Sequence, residues 1–318
     1  MKKGLAPSLL SILIALNLPI CSFPFQQQPP SDDRSQKSTK PADAQKPDDK
    51  VRLQANLVSL IVTVTDPYGR FVTGLDKEHF EIYDNNVKQD IAMFSDEDAP
   101  ITLGIIYDVS GSMGNLTTRS FEVLKKFFYT SHDDDEYFVV AFNNKPQLVQ
   151  DFTMMPEEIL SRTIFVKAKG STALYDAVYL AAEKAKQGRH PKKALLLLSD
   201  GLENNSRYSL KELKNMLKEA DVQIYCVGFS SMIEGSYTLK YLAELTGGRA
   251  FFPADDNEVG DLYTRMAIML RRQYAIGFYP SDTSSGNKWH DVKIKINAPK
   301  GLGRISLYYK KGYQAFAP

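Results

Sequence analysis

The sequence predicts an α/β protein: a doubly wound, mainly parallel sheet flanked by helices, with a small β-module built from the N- and C-terminal flanks. Two observations carry that expectation. From Ile101 to Arg271, apolar runs of strand length alternate with amphipathic runs of helical length, the pattern of a parallel sheet covered on both faces. Before and after that series the chain reads as strands alone, too few in either place to stand by themselves. The economical solution packs both sets together, so that the α/β series is an insertion in a β-module.

The chain begins with a targeting pattern. Lys2 and Lys3 precede the apolar run Leu9 to Ile20. That run is too short and wrongly flanked for a membrane span, so residues 1–25 read as a secretory signal. Cys21, in Leu18-Pro19-Ile20-Cys21, resembles a bacterial lipoprotein cleavage site, although Ile20 stands where such sites carry a small residue. The plainer alternative is a cysteine lost with the signal. Residues 26–50 are rich in Gln, Pro, Ser, Asp and Lys and bury too little to fold, so they form a disordered linker. The expected location is periplasmic, cell-envelope or secreted, with membrane association only through the amino terminus.

Residues 51–98 form the first β-unit. Leu57 to Thr65 alternates as a half-buried strand. Asp66-Pro67-Tyr68-Gly69 is turn chemistry, and Arg70 to Val72 restarts a strand. His79 to Tyr83 and Ile91 to Phe94 follow, separated by Asp84-Asn85-Asn86.

Residues 99–272 form the α/β domain. Strands are expected at Ile101–Tyr107, Tyr137–Phe142, Gln147–Phe152, Ala194–Leu198, Val222–Phe229 and Arg249–Phe252. Helices are expected at Phe121–Thr130, Pro156–Phe165, Ala173–Lys186, Leu210–Ala220, Leu239–Leu245 and Val259–Arg271. Ser209 is the N-cap of the fourth, and Gly247-Gly248 closes the fifth. Residues 273–318 return to strands, at Gln273–Tyr279, Trp289–Ile296 and Gly303–Tyr309, with a polar turn from Ser281 to Lys288.

Composition narrows the function. There are 39 Lys+Arg against 38 Asp+Glu, so nothing global argues for nucleic acid or an anionic membrane. With Cys21 and Cys226 the only cysteines, there is no disulfide framework. Cys226 lies in an apolar run and reads as a small core residue.

The informative motif is Asp108-Val109-Ser110-Gly111-Ser112, at the exit of an apolar strand. Open α/β sheets place their ligands at the carboxyl ends of strands. Its side chains offer hard oxygen donors, which suit Mg²⁺, Mn²⁺ or Ca²⁺ better than zinc. Two further loops carry the same chemistry: Gly170-Ser171-Thr172-Ala173, before a helix, and Ser199-Asp200-Gly201, after a strand. Converging, they deliver two carboxylates and three hydroxyls: Asp108, Ser110, Ser112, Thr172 and Asp200. The alternative is a degenerate site whose hydroxyls cap helices.

Other candidates have plainer readings. Asp133-Asp134-Asp135-Glu136 reads as a solvated turn rather than a separate calcium site. Asp176 favours a helix start. Glu203 faces solvent or supports Asp200 from behind. His79, His132, His190 and His290 lack metal-ligand spacing. Asn115-Leu116-Thr117 and Asn204-Asn205-Ser206 fit the glycosylation pattern, which arises often by chance.

Residues 99–272, with all three ligand loops, resemble the von Willebrand factor A domain family and its metal-ion-dependent adhesion site. Val62-Thr63-Val64, Gly69, Val72-Thr73-Gly74-Leu75, Phe80, Arg272-Gln273-Tyr274 and Gly312-Tyr313 extend the resemblance to bacterial exported VWFA-related proteins. The resemblance implies direct contact of Ser110, Ser112 and Thr172 with the cation. It implies that Asp108 and Asp200 act mainly through water. Mg²⁺ is then the expected ion, with Mn²⁺ or Ca²⁺ possible. Neutral hydroxyls leave such an ion short of negative charge, so the expected partner is a protein offering a Glu or Asp side chain.

The expected function is therefore binding, not catalysis. The rival is a Mg²⁺-dependent phosphoryl-transfer enzyme with Asp108 as nucleophile. Ser110 stands where such enzymes carry their general acid, and no Ser-His-Asp or Cys-His set is evident. A third reading is a metal-free structural envelope protein.

Overall fold

The computed structural model describes residues 57–315, apart from 115, 130, 164–167, 230–232, 255, 283–287 and 300. The expected signal, Cys21, the linker and Asn115 lie outside the described residues, as does most of the polar turn after Ser281.

Four strands come first: β1 (Val58–Thr65), β2 (Phe80–Asp84), β3 (Val87–Gln89) and β4 (Ile91–Ser95). The strand expected at Arg70–Val72 is reduced to a single bridge between Thr65 and Phe71. The Asp66 carboxylate accepts from the Tyr68 and Arg70 N–H groups and tightens the turn. The chain then leaves for Gly74, whose φ is 74°. Strand β3 escaped the sequence reading. It exists because Asn85 and Asn86 both adopt positive φ, 46° and 68°, which closes a two-residue hairpin.

The α/β series follows: β5 (Thr102–Asp108), α1 (Leu116–Phe128), β6 (Glu136–Phe142), β7 (Pro146–Thr153), α2 (Pro156–Thr163), α3 (Leu174–Ala185), β8 (Lys193–Ser199), α4 (Leu210–Glu219), β9 (Gln223–Gly228), α5 (Ile233–Thr246), β10 (Ala250–Phe251) and α6 (Asp256–Arg271). The sheet order is β10-β9-β8-β5-β6-β7. All neighbours are parallel except β6 and β7. Alternation along β5 sends Ile105 and Tyr107 to one face, against Leu124 and Phe127 of α1 and Met266 of α6. Ile106 faces the other side, with Val178 of α3, Leu213 of α4 and Leu239 of α5. Burial on both faces is why β5 and β8 are apolar almost throughout. Ser209 caps α4 as expected, in a reciprocal box with Glu212. Helix α5 starts six residues earlier than its periodicity indicates, because Gly235 interrupts the apolar pattern there.

The last strands are β11 (Tyr274–Phe278), β12 (Trp289–Ile296), β13 (Ser306–Tyr308) and β14 (Gly312–Gln314). They interleave with the first four in two antiparallel sheets, ordered β13-β1-β11-β4 and β14-β12-β2-β3. A common core unites them around Val62, Phe80, Ile82, Tyr274, Ile276 and Val292. The two flanks thus build one β-module around the inserted α/β series. Gln273 pins the junction: its buried amide donates to Thr63 Oγ1 (3.2 Å), Gln223 Oε1 (2.8 Å) and Tyr225 Oη (2.7 Å). Among the described residues no helix is long and apolar enough to cross a membrane.

Candidate functional site

Strand β5 ends at Asp108 and its parallel neighbour β8 ends at Ser199. From β5 the chain proceeds to β6 on one side, and it returns to β8 on the other. The crevice between their carboxyl ends is the point where strand order reverses, the usual ligand position in such sheets.

Asp108 is fully buried. One carboxylate oxygen accepts from the Ser110 N–H at 2.9 Å, the other from the Ser199 hydroxyl at 2.6 Å. Burial pushes its carboxyl up to about 6; the Ser110 and Ser199 hydrogen bonds oppose this, and the charge of Asp200 adds to it. Ser199, which sequence reasoning passed over, also accepts from the Gly201 N–H at 2.9 Å. Its signal was legible: a hydroxyl ending an otherwise apolar strand.

Ser110 heads a short 3-10 turn, Gly111–Met113. Its buried hydroxyl lies 3.1 Å from that of exposed Ser112. The second loop is laced to this turn, with Lys169 N–H donating to Val109 C=O and Gly111 N–H to Gly170 C=O, both at 2.9 Å. Gly170 needs its left-handed φ of 85°, and a side chain there would meet the Asn144 amide. Thr172 is buried, and its backbone is held at both ends by Asn204. Its hydroxyl makes no hydrogen bond to any described residue.

In the third loop, buried Asp200 accepts from the Leu202 N–H at 3.0 Å through one oxygen. Its other oxygen has no partner among the described residues. Gly201, at φ 79°, packs backbone to backbone against Gly235 of α5, leaving no room for a Cβ on either.

The structure therefore gathers all five expected residues at one crevice. Their donor set fits a hard divalent cation: two carboxylates, one with a free oxygen, and three hydroxyls, one without a competing bond. Among the described residues no group of three or more His, Cys, Asp or Glu could hold a metal ion.

Supporting residues fill the surroundings. Glu203 is half-buried and takes the supporting place: it accepts from the Tyr175, Asn205 and Ser206 N–H groups and from the Ser206 hydroxyl. It ties the third loop to the first turn of α3. Glu203→Ala is expected to lower stability by about 1–3 kcal/mol, the cost of stranding such donors; urea denaturation reads this directly. Asp176 stands in the first turn of α3 as expected, and its carboxylate also holds the Arg207 and Tyr208 N–H groups.

The acidic run is corrected in half. Asp133 and Asp134 are exposed. Asp135 and Glu136 are buried, because Asp135 accepts from Ile101 N–H and pairs with Arg271, while Glu136 holds Thr102 and Arg189. The four histidines lie away from the crevice. His290 is buried against Asp84 at 2.8 Å, and His79, His132 and His190 make local polar contacts. Cys226 is buried in the core.

Residues 103–203 match the family model of the von Willebrand factor type A domain. Among solved structures, the conserved hypothetical protein BatB from Bacteroides thetaiotaomicron is 13% identical, with a TM-score of 0.44 over 53% of this chain and 98% of that one. A von Willebrand factor type A protein from Catenulispora acidiphila is 13% identical, with a TM-score of 0.49 over 81% of this chain and 72% of that one. The vWF domain of the type V pili tip protein Mfa5 from Porphyromonas gingivalis is 12% identical, with a TM-score of 0.44 over 55% of this chain and 97% of that one. No curated protein matches the chain.

Proposed function

Because the chain carries a von Willebrand factor type A domain, we propose that it is an exported interaction protein whose Asp108, Ser110, Ser112, Thr172 and Asp200 hold a divalent cation, Mg²⁺ first, that captures an acidic residue of a protein partner. The observation that carries this reading is the shortage of available negative charge at the crevice. Both oxygens of Asp108 are engaged by Ser110 and Ser199. That leaves one oxygen of Asp200 beside neutral hydroxyls. A bound Mg²⁺ supplies an under-neutralised charge that takes a further oxygen ligand from outside. Ser110, Ser112 and Thr172 orient it, while the interlaced loops keep the donors in place before any partner arrives.

The same geometry weighs against phosphoryl transfer. A nucleophilic carboxylate needs an oxygen that reaches substrate, and Asp108 is fully buried.

Titration calorimetry with Mg²⁺ and Mn²⁺ tests the site. Ser110→Ala/Ser112→Ala is expected to abolish measurable binding. Ser199→Ala, which removes the hydroxyl that donates to Asp108 and accepts from the Gly201 N–H, is expected to weaken binding about 10- to 100-fold, the usual effect of a supporting residue. Capture of partners from envelope extract, with and without chelator, tests the function. Identical, chelator-insensitive capture by wild type and the double variant would sink the metal-bridged reading.

A further inference from the structure

Helix α5 begins at the carboxyl end of the six-stranded sheet, where its first turn meets the third ligand loop. Its exposed residues are Ile233, Glu234, Tyr237, Lys240 and Glu244. A helix face turned to water is normally polar along its length. Lys240 and Glu244 keep that pattern at the far end, but the crevice end breaks it. Ile233 is 88% exposed and Tyr237 is 72% exposed. Four residues apart, the two side chains are neighbours on one face. They form a ledge, unlike the single apolar groups scattered over any surface.

The ledge is fixed beside the crevice. Gly235, midway between its two members, lies so close to the Asp200 carbonyl that no Cβ fits. Helical residues two positions apart have Cα atoms about 5–6 Å from each other, so Ile233 and Tyr237 each stand within roughly 10 Å of the Asp200 backbone. Their Cα–Cβ bonds tilt toward the helix N-terminus, which is the crevice end. Glu234 marks the same side. Burial raises the Tyr175 phenol, and the charges of Glu203 and Glu234 raise it further, so Glu234 looks across to the first turn of α3. The ligand loops themselves supply no apolar contact. Their exposed side chains, Ser112, Lys169, Ser171, Asn204 and Asn205, are all polar.

We propose that this ledge selects the partner: the protein captured at the crevice carries a large apolar side chain, Leu, Ile, Phe, Tyr or Trp, close in sequence to its metal-bound Glu or Asp. The proposal rests on the cation reading above and adds what a cation cannot supply. An ion accepts a carboxylate from any sequence, whereas specificity is a difference of affinities and needs a second contact. Tyrosine suits that contact, with a broad amphipathic ring and few rotatable bonds to immobilise. Neither Ile233 nor Tyr237 belongs to a core of the domain, so folding gives no reason for an apolar side chain at either position. Ledge and crevice are continuous, and one segment covers both. About three residues of extended chain, at roughly 3.3 Å each, span the distance between them.

Immobilised full-length protein is offered two pools of end-blocked tridecapeptides, randomised around a central Glu or a central Gln, in Mg²⁺ and in chelator. Wild type in Mg²⁺ is expected to retain the Glu pool and to enrich members whose large apolar residues lie near the Glu rather than at the ends. Ile233→Ser/Tyr237→Ser changes only exposed side chains. It is expected to keep its Mg²⁺ affinity by calorimetry and its demand for Glu. It is expected to lose the apolar enrichment and to bind the best wild-type peptide at least about tenfold more weakly. Tyr237→Phe is expected to keep the preference. Tyr129→Ser, which removes a comparably exposed ring from the far end of α1, is expected to change nothing. Capture that needs Mg²⁺ and Glu but shows no apolar enrichment, or an enrichment unchanged in the double variant, would overturn the ledge and leave the cation reading standing. Retention indifferent to Glu and to chelator, or no retention at all, would overturn both. A dimer of the protein that the double variant abolishes would assign the ledge to a second copy and overturn the proposal as well.

Discussion

Asp108→Asn is expected to abolish Mg²⁺ binding while raising the melting temperature of the chelated protein at pH 7.5. Asp108 is buried, and its carboxyl is pushed from 3.8 up to about 6. A carboxyl with a raised folded-state value favours folding only while protonated. Its contribution is fully present below 3.8, is lost as pH rises to about 6, and above that is a constant cost. A two-unit shift corresponds to roughly 3 kcal/mol at about 1.4 kcal/mol per unit. Asparagine removes the charge but forfeits one of two acceptors, those for Ser110 N–H and the Ser199 hydroxyl. The expected net gain is therefore about 1–2 kcal/mol, after an offset of about 1 kcal/mol for the hydrogen bond. Thermal denaturation of both proteins in chelator, at pH 4 and pH 7.5, provides the check. The gain should vanish at pH 4, where folded Asp108 is already protonated. A variant less stable than wild type at pH 7.5 would contradict the account. The exchange is of a familiar kind, with function holding a group that stability alone would discard.

Gly235→Ala should be among the most damaging single methyls in the α/β domain. The new Cβ would lie 2.1 Å from the Asp200 carbonyl oxygen, on backbone that cannot swing aside. Either the first turn of α5 lifts, or the Asp200–Gly201 loop is driven toward the crevice. Overpacking of this kind costs on the order of 3 kcal/mol. The signature that separates it from ordinary destabilisation is a parallel loss of cation affinity, because the displaced loop carries Asp200. Urea denaturation and Mg²⁺ titration of the same preparation measure both. Lost stability with unchanged cation affinity would show that α5 does not position the loop.

Much of this architecture was legible because its determinants are local. Strands β5 and β8 announce themselves as continuous apolar runs, since both faces are covered. Asp108, Ser110, Ser112, Thr172 and Asp200 stand out as oxygen-bearing side chains at strand exits or a helix entry. What escaped was set by contacts distant in sequence. The burial of Asp135 and Glu136 depends on Arg271 and Arg189, which no reading of four adjacent acids could supply. The role of Glu203 depends on α3 lying beside its loop. Helix α5 was read short because Gly235, costly in an isolated helix, is required by its approach to Asp200. Strand β14 is three residues long and exists only through β12, so periodicity could not find it.

The pairing of β1 with β11 also decides how the molecule would carry load. Val58 lies opposite Phe278, and Val62 opposite Tyr274. A pull applied at Val58 and at the α/β domain, which joins β11 just before Tyr274, grips the two strands at opposite ends of their ladder. Their hydrogen bonds are then strained side by side in shear and must fail together, rather than opening one after another like a zip. A partner held at the metal crevice would thus tug on the β-module along its stiffest direction.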